Sequence, residues 1–371
     1  MRYNTFGKTG IKMSALGFGA MRLPLKDKAI DDEKAIPMMQ RAFDLGVNYI
    51  DTAPQYVSDL SESAVGRALK GYRDKVYVST KNWAKTDSAD DWIKGLEGSL
   101  KKMDLDYIDF YHFWGISLEV FRKWEKLSDG PFQAARRAKD QGLLKHLSFS
   151  FHDDAANCRP IIESGHFESM LIQYNLLDRS NEENLAIAKE NGLGTVVMGP
   201  VGGGLLGAPS DVIQGLLKNK PASTAEMAIR FVLANENADV VLSGMSNMAQ
   251  LEENARIASQ EGKLTQEELA HINVMMAENA EHAKLYCTSC DYCKPCPAGI
   301  NIPHIFNIMN NHKVYGLTDY AKFSYNQVIN GEGWTKSADA TKCTECGECE
   351  TKCPQKLPII EQLKETHTTL V

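Results

Sequence analysis

The sequence has little cysteine in its first three quarters, no long apolar run and no secretory signal. Only Cys158 of the nine cysteines precedes residue 286, whereas secreted proteins spread cysteines along the chain as disulfide staples. No stretch approaches the about 20 apolar residues that a membrane-spanning helix needs, and Met1-Arg2-Tyr3 leads directly into polar sequence. We therefore expect a soluble, cytoplasmic protein without a membrane partner.

The charge balance is mildly acidic and lacks a basic stripe. The formal net charge is −7, and no run of Lys and Arg interleaves with aromatic residues, so we expect no nucleic-acid partner. Length alone suggests about two to three domains, but a single (β/α)8 barrel occupies about 250 residues. Hydrophobic residues make up 43% of the 371 residues, which is enough for a large buried core.

Eight strand-like runs alternate with amphipathic helical patterns over most of the chain. This alternation predicts an α/β fold, a closed parallel (β/α)8 TIM barrel. A Gly-Lys-Thr-Gly turn at residues 7–10 predicts a small hairpin on the barrel floor, and residues 118–141 are expected to hold two helices interrupted at Gly130-Pro131. The predicted strands are Ala15–Gly19, Tyr49–Thr52, Val76–Thr80, Ile108–Phe113, Leu147–Phe151, Met170–Tyr174, Thr195–Met198 and Val240–Leu242.

A second, smaller domain is predicted after the barrel. Residues 261–284 read as one more helix, and we place the boundary near residue 285, with a barrel domain at 1–285 and a small domain at 286–371. Apolar spacing between residues 297 and 342 predicts helices there rather than a sheet. The predicted barrel helices include Glu33–Leu45, Glu62–Leu69, Asp91–Met103, Glu183–Glu190, Ala225–Ala234 and Ala249–Ala258.

Two neighbouring predicted strands end in residues that suit proton transfer. The first ends in Asp51, breaks at Pro54 and presents Tyr56, and the next is followed by Lys81. Carboxyl ends of parallel strands meet at one end of a barrel, so these side chains can share a pocket. There the ammonium would lower the pKa of the phenol below its usual value of about 10, and the carboxylate would keep the ammonium charged. Such a group can protonate a carbonyl oxygen.

Two dense cysteine groups follow residue 286. Paired C-x-x-C motifs are the usual zinc signature, but a third cysteine two residues further on supplies more thiolates than a tetrahedral zinc site needs. The spacing therefore favours iron–sulfur clusters, with zinc as the alternative. The cysteines are Cys287, Cys290, Cys293 and Cys296 in the first group, and Cys343, Cys346, Cys349 and Cys353 in the second.

Asp51-Thr52-Ala53 with Tyr56, and Ser79-Thr80-Lys81, resemble motifs of the aldo-keto reductase superfamily, and the likeness extends to about residue 258. The chain is similar to the subgroup with a C-terminal ferredoxin-like tail. This resemblance implies carbonyl reduction, or the reverse oxidation, with NADPH or NADH. The proton donor would be Tyr56, supported by Lys81 and Asp51.

The cysteine runs resemble those of two-cluster ferredoxins, in which the fourth cysteine of each run ligates the other cluster. The first run has two residues before its last cysteine instead of three. A cysteine that binds the other cluster tolerates this shift more easily than one that binds the cluster of its own run. The helical spacer favours an α-helical ferredoxin. The resemblance implies two 4Fe–4S clusters, one on Cys287, Cys290, Cys293 and Cys353, the other on Cys343, Cys346, Cys349 and Cys296.

The fourth catalytic position departs from the superfamily pattern. Members place a histidine three residues after the tyrosine of an Asp-x-Tyr-x-x-His run, whereas residues 109–114 read Asp-Phe-Tyr-His-Phe-Trp. Trp114 takes that slot and would narrow the pocket, and His112 lies on the same face of the strand, about 6–7 Å deeper. His112 is either the fourth catalytic residue or a hydrogen-bonded core histidine, and His152 after the fifth strand is a spare candidate.

Further stretches match nucleotide-binding motifs of the superfamily. Ser150 and Gln173 would hold the carboxamide, although Phe151 stands where asparagine is common, and a glycine-rich loop at 199–206 can approach a pyrophosphate. No basic residue lies between positions 243 and 254 to meet a 2′-phosphate. Either the protein uses NADH, a basic side chain from another part of the chain meets the 2′-phosphate of NADPH, or nicotinamide nucleotide binding is weak. The expected nucleotide contacts are Gly19, Ala20, Met21, Ser150, Gln173, Pro200, Gly202, Gly204, Ser246, Asn247, Glu253 and Asn254.

The leading interpretation is a nicotinamide-dependent oxidoreductase for a small carbonyl or alcohol substrate, whose clusters exchange single electrons with a redox partner protein. The alternative is an iron–sulfur electron-transfer subunit whose barrel is a binding scaffold without reductase activity. The clusters could also be structural or sense oxygen. A hydride carries two electrons, whereas a cluster normally transfers one. Direct electron transfer between the nicotinamide and the clusters therefore needs a flavin, a radical-stabilising substrate or a partner protein that passes the electrons one at a time. The sequence shows no flavin signature.

Overall fold

In a computed structural model, the chain forms two compact units. One contains residues 1–202 and 228–263, and the other contains residues 203–227 and 264–371. The structure describes residues 1–83, 86–217, 219–260, 263–284, 287 and 291–371. Over those ranges, none of the helices combines the length and the apolar character needed to span a bilayer. The domain boundary near residue 285 stays a prediction.

The first unit is built around a closed parallel barrel, which confirms the predicted (β/α)8 fold. The described strands are β1 (Tyr3–Thr5), β2 (Lys12–Ser14), β3 (Leu16–Gly19), β4 (Leu25–Lys26), β5 (Ala29–Ile30), β6 (Tyr49–Asp51), β7 (Tyr77–Trp83), β8 (Ile108–Trp114), β9 (Leu144–Phe151), β10 (Ser169–Gln173), β11 (Gly194–Met198) and β12 (Val240–Gly244). The barrel strands follow the order β10-β11-β12-β3-β6-β7-β8-β9, while β1 and β2 form the predicted N-terminal hairpin. A second hairpin of β4 and β5 was not predicted, since strands of two residues leave no periodic signal.

Helices follow the barrel strands and dominate the second unit. The two helices expected in residues 118–141 are present, as are those expected between the cysteine groups. The described helices are α1 (Asp32–Asp44), α2 (Ser61–Ala68), α3 (Ala89–Met103), α4 (Leu118–Glu125), α5 (Pro131–Asp140), α6 (Cys158–Glu163), α7 (Glu182–Glu190), α8 (Asp211–Gln214), α9 (Thr224–Ala234), α10 (Met248–Ser259), α11 (Gln266–Lys284), α12 (Ile302–Lys313), α13 (Thr318–Asn330), α14 (Glu348–Lys352) and α15 (Ile359–Leu370).

Strand β8 is buried on both faces. Phe110 points into the barrel, where it packs with Phe6 of the N-terminal hairpin and Tyr49 of β6. Tyr111, which alternates with Phe110, faces outward and meets Trp92 of α3 at a ring-centroid distance of 5.3 Å. Burial on both faces explains why this strand is a nearly continuous apolar run. The inward-facing residues further along β8 are those that approach the barrel mouth.

The second unit has its own core between α12, α13 and α15. Ile305, Phe306, Tyr325 and Leu363 are buried there, and Cys353 lies in the same core. Tyr325 Oη accepts a hydrogen bond from the Ala340 backbone N–H at 3.1 Å, which fixes the segment before the second cysteine group. Other cysteines of both groups pack against the edge of this core. The helical packing therefore holds the two cysteine groups close together.

Candidate active site and cysteine cavities

The predicted carboxylate and ammonium form a buried ion pair at the carboxyl end of the barrel. Strand register places Asp51 beside Ser79, two residues before Lys81. Lys81 Nζ lies 2.6 Å from Asp51 Oδ2 and 2.8 Å from the Thr52 carbonyl oxygen. Burial lowers the pKa of Lys81, but Asp51 and Tyr56 together leave that pKa raised. Burial also raises the pKa of Asp51 against the opposing effect of Lys81. The short contact and the raised lysine pKa indicate that the proton stays on Lys81.

Tyr56 is presented by a strained turn after β6. Residues 57–59 have positive φ angles of 52°, 53° and 69°, a left-handed conformation that costs roughly 1–2 kcal/mol per non-glycine residue. The turn brings the phenol close to Lys81, whose Nζ is 4.9 Å from the Tyr56 ring centroid.

The pKa of Tyr56 is raised, so the expectation of a lowered value was wrong. Burial is the main cause, and it outweighs the opposing charge of Lys81, while Asp51 also raises this pKa. The physical reason is that the phenolate would lose its hydration beside an ammonium already neutralised by a carboxylate.

A chain of hydrogen bonds extends the ion pair into the barrel. Ser79 Oγ donates to Asp51 Oδ1 at 2.8 Å, and His112 Nε2 lies 2.8 Å from the same Ser79 Oγ. Because the single hydroxyl proton of Ser79 goes to Asp51, His112 Nε2 carries the proton of the second bond. Burial, helped by the Lys81 charge, lowers the pKa of His112 to about 3. His112 is thus a neutral, fully buried histidine that reaches the ion pair through Ser79.

Trp114 and His152 lie at the mouth. The Trp114 ring packs edge-on against Tyr56, with centroids 6.0 Å apart and an interplanar angle of 86°. His152 directly follows β9 and lies beside Gly115, since a Cβ on Gly115 would be 3.8 Å from His152 Cδ2. The structure therefore brings Asp51, Tyr56 and Lys81 together with Trp114, and keeps His112 beneath them.

The two predicted carboxamide ligands differ in their surroundings. Ser150 is fully buried, and its Oγ accepts the Gly115 backbone N–H at 2.9 Å. Gln173 is partly exposed and lies against Gly199, where a Cβ would come within 2.4 Å of the glutamine Oε1. Gly199 also has φ +64°, so the position requires glycine on both counts. Phe151 is buried and supplies no replacement for an asparagine hydrogen bond.

The other predicted nucleotide contacts near the glycine-rich loop and the first barrel strand have varied settings. Gly19 of β3 pairs with Asp51 on one side and Gly244 on the other. The Ala20 carbonyl oxygen accepts the Ser61 hydroxyl at 2.8 Å. Of the remaining positions, Met21 is 49% exposed and Pro200 is buried. Gly202 and Gly204 have positive φ angles of 57° and 109°, and Gly204 belongs to the second unit.

Two of the four predicted adenosine-end residues stabilise the start of α10. Asn247 caps the helix by accepting the Gln250 backbone N–H at 3.0 Å, and Ser246 Oγ donates to the Gln250 side chain at 3.1 Å. Asn254 Nδ2 donates to Ser243 Oγ at 3.1 Å inside the protein. Glu253 is on the same helix and partly exposed.

A cation that sequence reasoning missed lies beside this segment. A Cβ on Gly244 would lie 3.4–3.7 Å from the Cδ, Cγ and Cβ atoms of Arg22, so the exposed Arg22 side chain runs across the end of β12. Pairing of β12 with β3 brings the two residues together from distant parts of the chain. No local motif marks Arg22, and a barrel register is needed to find it.

The cysteines of the second unit line two cavities. The first is lined by Cys293 and Cys296 together with Cys343, Cys346 and Cys349. The second is lined by Cys287, Cys293 and Cys353. Cys290 lies outside the described residues. Among the residues that the structure describes, no three His, Cys, Asp or Glu side chains converge as they would around a single metal ion. Thiolates spread around a cavity suit the multi-iron cluster that Cys ligands hold.

Comparison with known proteins gives matches for both parts of the chain. The aldo/keto reductase family model matches residues 15–276, and the 4Fe-4S dicluster domain model matches residues 286–357. L-galactose dehydrogenase of Arabidopsis thaliana is 27% identical over 298 residues, which cover 73% of this chain and 92% of that protein. The uncharacterized oxidoreductase YqkF of Bacillus subtilis is 26% identical over 309 residues, covering 72% and 94%. Aldo-keto reductase AKR11C1 from Bacillus halodurans, in its holo form, superposes with a TM-score of 0.64 at 28% identity, over 74% of this chain and 96% of that one.

The depressed pKa of His112, about 3, predicts a specific pH dependence of stability. Unfolded His112 titrates near 6.5, so its stabilising effect is complete above pH 6.5 and is lost as pH falls towards 3. We expect the unfolding free energy of the native protein, measured with urea, to fall by about 2 kcal/mol more than that of His112→Gln between pH 7 and pH 5. Equal pH slopes for the two proteins would show that His112 is not held neutral.

Proposed function

Because the chain belongs to the aldo/keto reductase family and is an oxidoreductase, we propose that it interconverts a small aldehyde or ketone and its alcohol with a nicotinamide nucleotide at the barrel mouth. The observation that carries the proposal is the buried Lys81–Asp51 pair next to Tyr56, since Lys81 Nζ is 2.6 Å from Asp51 and 4.9 Å from the phenol ring. A scaffold without chemistry gives no reason to bury two charges there, because burial of charge is costly.

In reduction, Tyr56 gives its proton to the carbonyl oxygen as the carbon is reduced. The raised pKa keeps Tyr56 protonated near neutral pH, which is the form that an acid catalyst needs. Lys81 then stabilises the phenolate, and Asp51 holds the lysine in place and charged. Ser79 and His112 orient the second oxygen of Asp51 from below, so His112 acts through Ser79 and not on the substrate.

The barrel mouth fits a nicotinamide nucleotide, which would supply the hydride. Gln173 offers a partly exposed amide beside Gly199, a position where any side chain would collide with that amide. Three options were open for the nucleotide: use of NADH, a basic side chain from another segment that meets the 2′-phosphate of NADPH, or weak binding. The position of Arg22 supports the second option. Arg22 extends across Gly244, next to the segment at 246–254 in which no basic residue occurs. We propose that Arg22 meets the 2′-phosphate, so that NADPH is preferred, because guanidinium and phosphate form strong charge-assisted hydrogen bonds.

The second unit is of the 4Fe-4S dicluster type, and we propose that it holds two clusters with crossed ligands for one-electron exchange with a redox partner. Cys296 lies with Cys343, Cys346 and Cys349 around one cavity, and Cys353 lies with Cys287 around the other. This distribution supports the exchange of fourth ligands, although Cys293 borders both cavities.

Removal of the Tyr56 hydroxyl tests the catalytic assignment. We expect Tyr56→Phe to lower the rate of NADPH-dependent reduction of 4-nitrobenzaldehyde by at least about 10²–10⁴-fold, because the proton donor is lost. The nucleotide dissociation constant, measured by fluorescence, should stay within about twofold. The control is Tyr72→Phe, whose hydroxyl bonds Asp44 on the surface and whose loss should leave the rate unchanged. Full activity in Tyr56→Phe would contradict the assignment.

Nucleotide preference tests the role of Arg22. We expect Arg22→Gln to weaken NADPH binding by about tenfold, corresponding to about 1.4 kcal/mol, while NADH binding changes little, since only NADPH carries the 2′-phosphate. The measurement is calorimetric titration of the cluster-loaded protein with each nucleotide. Arg41→Gln is the matched control, because Arg41 is an exposed arginine paired with Glu252. Equal losses for both nucleotides would rule out 2′-phosphate recognition by Arg22.

Paired cysteine variants test the crossed ligation. If Cys287 and Cys353 serve one cluster, the double variant Cys287→Ala/Cys353→Ala should keep one intact cluster. The double variant Cys287→Ala/Cys296→Ala should then damage both. Iron content and the electron paramagnetic resonance spectrum after dithionite reduction distinguish the two. Cys158→Ala is the control, because Cys158 is buried in α6. The reverse pattern for the double variants would mean that each run closes its own cluster.

A further inference from the structure

The inward face of β9 leads along the strand towards His152. Side chains alternate along a strand, and His146 of this strand stacks on Phe110, a residue of the barrel interior, with ring centroids 4.8 Å apart. Positions 148 and 150 therefore follow His146 on the inward face. His152 comes directly after the last residue of β9, in the next position of this alternation, and it is exposed at the end of the strand.

The loop after β8 lies beside His152. The Gly115 backbone N–H donates to Ser150 Oγ at 2.9 Å, and the Ile116 N–H donates to the Ser150 carbonyl oxygen at 3.2 Å. These two bonds hold the end of β8 against the end of β9. A Cβ on Gly115 would lie 3.8 Å from His152 Cδ2, so the imidazole lies close to Gly115, the residue after Trp114.

Neither side chain of β8 that could occupy the fourth catalytic position offers an imidazole to the substrate. His112 is completely buried and bonded to Ser79. Trp114 packs edge-on against the Tyr56 ring. An exposed imidazole, that of His152, lies beside Gly115, the residue after Trp114, and it belongs to the segment that follows β9.

Resting on the carbonyl chemistry proposed above, we propose that His152 is a further catalytic residue that donates a hydrogen bond to the substrate carbonyl oxygen. The new C–H bond at the carbonyl carbon would form with the hydride that the reduced nicotinamide nucleotide supplies and by whose loss that nucleotide is oxidised. The π electron pair would move to the carbonyl oxygen, and the O–H bond of Tyr56 would break as its proton completes the alcohol. His152 keeps its own proton and stabilises the negative charge that develops on oxygen before that transfer. The histidine of the fourth position is thus supplied by the neighbouring strand.

The electrostatic surroundings suit this role. Although the residue is partly open to solvent, burial by neighbouring atoms and the charge of Lys81 lower the pKa of His152. At neutral pH the imidazole is therefore uncharged, with one N–H to donate. A neutral donor next to the Lys81–Asp51 pair adds no second positive charge that would compete with Lys81.

Kinetics of the cluster-loaded protein with NADPH and para-substituted benzaldehydes test the proposal. We expect His152→Ala to lower kcat by about 10²-fold, as removal of one oxyanion donor does, with the nucleotide dissociation constant unchanged. The rate should also depend more steeply on electron-withdrawing substituents, because the substrate must carry more of the charge itself. His152→Gln, which restores an N–H donor, should recover most of kcat. His271→Ala, an exposed histidine on α11, is the matched control.

The possible outcomes separate this proposal from the one on which it rests. If Tyr56→Phe is inactive but His152→Ala works within about twofold of the native rate, the reductase assignment stands and the His152 proposal fails. The His152 proposal also fails if Trp114→Phe lowers kcat and steepens the dependence on electron-withdrawing substituents while His152→Ala does neither. If the native protein reduces none of the aldehydes, both proposals fail.

Discussion

The barrel mouth depends on one buried ion pair. Lys81 and Asp51 are at most 2% exposed and 2.6 Å apart, and removal of either partner from such a pair would leave an unpaired buried charge, which typically costs about 3–5 kcal/mol. Each neighbour is arranged around this pair. Thr52 accepts from the ammonium, and Ser79 occupies the second carboxylate oxygen. Tyr56 is brought over the lysine by three residues in left-handed backbone conformation. Strain of this kind persists only where surrounding contacts hold it, and it is concentrated at functional sites.

Burial has opposite consequences for the two proton-carrying groups near the pair. It raises the pKa of Tyr56, so the phenol keeps its proton. It lowers the pKa of His112 to about 3, so the imidazole gains no second proton near neutral pH. In both cases the charged form loses its hydration in the barrel interior. The same desolvation therefore leaves a protonated phenol at the mouth and a neutral hydrogen-bonding partner below it.

The two units concentrate different chemistry. The first presents proton-transfer groups at strand ends, which is where barrel enzymes place their reactive residues. The second presents thiols around two cavities next to a small helical core. One polypeptide thus carries an aldo/keto reductase domain and a 4Fe-4S dicluster domain.

The sequence by itself determined the barrel, the strand-end acid, phenol and amine, and the cysteine groups, because hydrophobic periodicity and residue spacing are local properties. It predicted strands such as Val240–Leu242 almost at their observed bounds, yet it missed the two-residue strands at Leu25 and Ala29, which are too short for any period. Only the tertiary structure decided the rest. The placement of Arg22 across Gly244 depends on closure of the barrel, the bond from His112 to Ser79 depends on strand register, and the direction of the Tyr56 pKa depends on how much water the fold removes. These are properties of distant residues brought together, and no local pattern in the chain contains them.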